Sequence, residues 1–122
     1  MANKSDPSPS PRTDAVTGYT YDDYVSLALH RSAVWLMIEN PALVGEVQAT
    51  LEQWIARGDP HMMAAWEKWR PILAAEDWEQ ALEETQEGQR LRSASPVPTL
   101  LPEATRLEVV AMVQAWWRDA SK

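Results

Sequence analysis

The chain has 122 residues, 45% of them hydrophobic, with 18 acidic against 11 basic residues and a formal net charge of −7. That length favours one domain with a core of its own, and the charge argues against a general grip on nucleic-acid phosphates or an anionic membrane while suiting a basic protein partner. The lack of cysteine removes disulfides, thiolate nucleophiles and Cys-based zinc sites together.

Residues 1–18 hold Pro7, Pro9 and Pro11 alternating with Ser8 and Ser10, and almost no large apolar residue. Such a segment buries too little to offset its ordering entropy, so a disordered tail is expected, with residues 19–122 forming one helical domain. Nothing behind Met1 reads as a signal peptide, and no apolar run approaches a membrane span, so a cytoplasmic protein is expected.

A first helix is predicted over Tyr21–Glu39, with Thr20 as N-cap and Asp22 and Asp23 favourable in its first turn. Tyr24, Leu27, Ala28, Arg31, Val34, Trp35 and Ile38 follow helical spacing, but Ala33–Ile38 is apolar on nearly every side. A helix of that kind is central in the fold or covered by a partner. Asn40-Pro41 ends it and opens a second helix with the stripe Leu43, Val47, Leu51, Trp54 and Ile55, stopped by Gly58. Asp59-Pro60 repeats the device for a third, carrying Met62, Met63, Trp66 and Trp69, with a bend expected at Pro71.

A fourth helix is predicted over roughly Glu76–Thr85, and a short one over Glu87–Ala94. Ser95-Pro96-Val97-Pro98 reads as an extended connection, because residues before proline are pushed from the α region. Pro102 opens a last helix with Leu107, Val110, Val113, Gln114 and Trp117 on one side. No segment alternates as a strand. The expected fold is all-α: a compact bundle of five or six short helices.

No catalytic pattern emerges. His30 and His61 form neither HxxxH nor HExxH, and there is no GxSxG or glycine-rich phosphate loop. The chain is therefore read as no enzyme, and without a metal or cofactor. Partner-binding candidates lie elsewhere. Between Glu76 and Gln89 stand Glu76, Asp77, Glu79, Glu83, Glu84 and Glu87, with no basic residue. They read either as a solvated helix face or as an acidic face that meets a basic groove. Arg90, Arg92, Ser93 and Ser95 follow directly. They suit the negative end of a helix, or forked contacts to a partner. His30 and Arg31 are a further candidate pair, read alternatively as the polar edge of the first helix. Trp116 and Trp117 point about 100° apart on a helix, so one packs inside and the other faces water or a partner.

A family resemblance rests on short motifs. Leu27-Ala28-Leu29-His30-Arg31, Asn40-Pro41, Leu51-Glu52-Gln53-Trp54 and Trp66-Glu67-Lys68-Trp69 are four of them. Glu87-Gly88-Gln89-Arg90-Leu91-Arg92-Ser93-Ala94-Ser95-Pro96 and Pro102-Glu103 complete the set. Together they make the chain resemble a group of small bacterial helical proteins of toxin–antitoxin-like gene pairs. Ala94 departs from a usual serine, and Val97 from a usual aromatic. The resemblance implies the antitoxin or partner component. The leading expectation is thus an antitoxin-like or immunity-like protein that neutralises or regulates a protein partner, such as a basic toxin or enzyme, with no direct nucleic-acid or membrane binding. Two alternatives stand beside it. One is an acidic nucleic-acid mimic inhibiting a DNA-binding defence protein. The other is a helical enzyme or ligand carrier built around His30 and carboxylates. The oligomeric state is left open.

Overall fold

Thr20 starts the first helix by a reciprocal cap. Its hydroxyl accepts from the Asp23 N–H at 3.2 Å, and the Asp23 carboxylate accepts from the Thr20 N–H at 2.9 Å. The computed structural model describes residue 14 and residues 17–120. The rest of the expected tail lies outside the described residues. Within it, Asp14, Thr17 and Gly18 are tied to the domain. The Asp14 N–H donates to Tyr19 O at 2.8 Å, and Gln86 Nε2 donates to Thr17 O at 3.0 Å.

Helix α1 (Tyr21–Glu39) ends at Asn40, and α2 (Ala42–Arg57) ends at Gly58, whose φ of +75° an L side chain rarely adopts. Helix α3 (Met63–Ala75) runs on through Pro71 because Trp69, Ile72 and Leu73 are buried on both sides of it. Glu76, at φ +51°, closes it in the left-handed region.

Three expectations need correction. The acidic stretch does not form one helix from Glu76 to Thr85. Helix α4 is only Trp78–Ala81, capped by the Asp77 carboxylate, which accepts from the Gln80 N–H at 3.2 Å. Thr85 then caps a separate α5 (Gln86–Arg92), accepting from the Gly88 N–H at 2.9 Å. Two successive caps end what composition suggests is continuous. The Ser95–Pro98 connection is not extended either. Pro96 is α-like and Val97–Leu100 forms a 3-10 turn. Pro98 fits there because the first turn of a helix needs no N–H from it. Fully buried Val97 holds the turn in the core. In α6 (Glu103–Ala120) the buried stripe is Val109, Val113 and Trp117. Leu107 is 63% exposed and Gln114 is also exposed. The i, i+4 row, rather than the wider stripe read from sequence, faces α1.

Six α-helices and no strand occur among the described residues. Helix α1 is central and packs against α6, α2, α5 and the 3-10 turn, while α3 packs on α2 and α5. The first turn of α1 meets the last turn of α6 through rings: Tyr21 on Trp117 at 6.1 Å, and Tyr24 on Trp116 at 5.1 Å and Trp117 at 5.9 Å. No helix is long and apolar enough to cross a membrane.

Gly88 is set by close approach. A Cβ there would lie 3.1 Å from the Glu83 carbonyl carbon, closer still to its oxygen, and 3.3 Å from an Arg92 nitrogen. Gly88→Ala must therefore push α5 from the preceding loop. A loss of about 1–3 kcal/mol is expected in urea unfolding, whereas the same change at Gly45, with nothing near its Cβ, should lose none.

Candidate protein-binding groove

The buried polar groups come first, because they fix the loop that forms the groove. Tyr19 and Arg92 are both buried. Arg92 Nη1 donates to the carbonyls of Ala81 at 3.1 Å and Glu83 at 2.9 Å, and Nη2 donates to the Tyr19 hydroxyl at 2.7 Å. The Tyr19 hydroxyl in turn donates to Thr85 O at 2.6 Å. One guanidinium fork thus ties the N-terminal segment, the end of α4 and the loop after it into one body.

That loop, α4 and the exposed side of α1 enclose an open groove of about 760 Å3. Exposed Ile38, half-buried Trp78 and Leu82, and the edge of buried Val34 make its apolar lining, and Asp77, Glu79, Glu83 and Glu84 supply its carboxylates. Among the described residues no lysine, arginine or histidine lines it. Ile38 is 53% exposed, and Trp35, one turn before it on the same helix, is 60% exposed. Arg31 reaches Glu84 in a salt bridge at the edge of this stripe.

Of the expected contact residues, Asp77, Glu79, Glu83 and Glu84 come together here. Glu76 is exposed in the turn before α4. Glu87 is outside the groove, bound by Arg90 at 3.0 Å and Lys68 at 3.4 Å. Hydrogen bonds from Arg90 and Lys68 hold its carboxyl below the usual range. Ser93 and Ser95 turn back on the chain. The Ser93 hydroxyl donates to Arg90 O at 2.7 Å, and Ser95 Oγ accepts from the Val97 N–H at 3.0 Å. These bonds shape the turn and do not present a patch.

Three of the expected contact residues are buried. Arg92 is spent on buried carbonyls. Trp117 is in the core. His30 is fully buried, stacked on Trp69 at 6.0 Å, with Nδ1 against Ser26 O at 2.7 Å. Burial first, and then the Arg92 charge, push its pKa down to about 4. His30 therefore stands in the core and lines no part of the groove, which separates the histidine from the carboxylates that an acid–base site would combine. Trp116 is 47% exposed but leans on Tyr24. Among the described residues no group of three His, Asp or Glu is placed to hold a metal.

Sequence reasoning missed Val34, Ile38, Trp78 and Leu82 as one surface. The available signal was Ala33–Ile38, apolar all round on a helix. The core takes Ala33, Val34 and Met37, leaving Trp35 and Ile38 in water. Comparison of the chain with protein-family models, curated proteins and solved structures finds no match.

Proposed function

We propose that the chain acts by binding another protein, as an antitoxin-like or immunity-like component that neutralises or regulates its partner. The observation that carries this reading is the groove, where exposed Ile38 and the half-buried Trp78 and Leu82 stand beside four carboxylates. An apolar centre rimmed by polar groups is the anatomy of a protein interface. The motif resemblance adds the class of partner system. Glu84 and Glu87 are neutralised by the chain's own cations and the groove floor is apolar, features that mimicry of a phosphate backbone does not call for.

The test uses the product of the adjacent gene in the source organism. That product, expressed alone, is expected to slow growth. Co-expression of the present chain is expected to restore growth and give a complex of fixed stoichiometry in light scattering. An adjacent product that leaves growth unchanged and elutes separately from this chain overturns the reading.

A further inference from the structure

We propose that the groove between α1 and α4 receives a basic amphipathic helix of the partner, an inference that rests on the protein-binding reading above. Charge selects the sign. Asp77, Glu79 and Glu83 line the groove with no cation among the described residues lining it, while Glu84 is engaged by Arg31. An occupant bearing Lys or Arg gains complementary pairs, whereas a second copy of this chain, at net −7, brings mostly its own repulsion.

Geometry selects the helix. The apolar lining is two single turns, Val34 to Ile38 on α1, with Ile38 exposed and Val34 buried, and half-buried Trp78 to Leu82 at α4. Each is roughly 6 Å long at 1.5 Å per residue, which matches anchors at i and i+4 on an incoming helix. A strand would need an open sheet edge to pair with, and no strand occurs among the described residues. A helix brings its own backbone bonds satisfied and offers only side chains. A small molecule fits less well. The volume is within the usual range for such ligands, but they are normally enclosed over most of their surface, and this groove is open.

The test is fluorescence anisotropy of the full chain with a labelled synthetic peptide of lysine and leucine, its leucines at i, i+3, i+4 and i+7. Two controls accompany it: a scrambled peptide of the same composition, and a peptide with glutamate in place of lysine. The patterned basic peptide is expected to bind most tightly. Ile38→Glu should raise its Kd about 30-fold or more. The double change Glu79→Gln, Glu83→Gln should raise it about 3- to 10-fold and flatten its salt dependence. Both carboxylates are exposed, so that variant decides the matter even if Ile38→Glu fails to fold. Equal binding of the scrambled or acidic peptide, or an unchanged Kd in the glutamine variant, overturns the proposal. If the adjacent gene product binds the native chain and Ile38→Glu equally, the groove assignment fails while the protein-binding reading stands. If the peptide binds as expected and the adjacent product does not, the groove stands and the antitoxin-like reading fails.

Discussion

Arg92→Ala is expected to cost roughly 3–5 kcal/mol of stability, the largest effect of any single change outside the apolar core. The guanidinium is buried and serves three oxygens: the carbonyls of Ala81 and Glu83 and the Tyr19 hydroxyl. Removing it strands these acceptors in a site that water reaches poorly, and opens a cavity beside Gly88, whose missing Cβ makes room for the same side chain. Tyr19 keeps its bond to Thr85 O, so the segment loosens first on the α4 side. Arg92→Lys should recover only part of the loss, because one ammonium cannot span the three acceptors that the planar fork reaches. Urea unfolding of the three proteins checks this order. An alanine variant within 1 kcal/mol of the native chain would show that the network contributes little. Since Ala81 and Glu83 flank the groove residue Leu82, the alanine variant should also bind the patterned peptide more weakly than its residual fold alone would allow.

The second large effect is a loss of stability in acid that depends on one histidine. His30 has its pKa lowered to about 4, first by burial and then by Arg92, against a partial opposing bond to Ser26 O. In the unfolded chain it titrates near 6.5. Between these values the unfolded chain takes up a proton that the native chain refuses, so the free energy of unfolding falls as pH falls. The slope approaches about 1.4 kcal/mol per pH unit. Above pH 6.5 the histidine contributes nothing to the pH dependence. By about pH 4, where the native ring is itself half protonated, the loss has reached about 3 kcal/mol. Carboxylates such as Glu52 and Glu87, held low by Arg70 and by Arg90 with Lys68, add their own loss at lower pH. The measurement is therefore a difference: native minus His30→Gln, by urea unfolding from pH 7.5 to 4. The difference, native minus variant, is expected to fall by about 3 kcal/mol toward acid. Parallel curves would show that the native ring takes up a proton as readily as the unfolded one, against its burial.

Much of this fold was legible in the sequence because its punctuation is local. Thr20 with Asp23, Asn40-Pro41, Gly58 and Pro102 each act within one turn, and they placed α1, α2 and the start of α6 almost to the residue. The failures came where two local rules competed. At Asp77 and Thr85, side chains that read as members of an acidic helix instead cap new ones. Asp77 followed by Gln80 at the third position was the available cue. At Val97 the extended preference before proline yielded to burial of the valine. The site was less legible still. The acidic run pointed to Asp77, Glu79, Glu83 and Glu84, but part of the apolar lining, Val34 and Ile38, comes from α1, some forty residues earlier, a juxtaposition that only tertiary packing creates. Arg92 and His30 were misplaced for the converse reason. Both are polar types usually found in water, and each is held inside by backbone carbonyls, which composition does not reveal.

Hydroxyl-radical footprinting of the complex with the adjacent gene product tests the central claim most directly, because it reads side chains and not affinity alone. Trp35, Ile38 and Trp78 are expected to lose reactivity on binding. Leu107 and Met112 of α6, exposed at 63% and 67%, should react as they do in the free chain. Protection of Leu107 and Met112 with Ile38 and Trp78 unchanged would contradict the account and move the interface to α6.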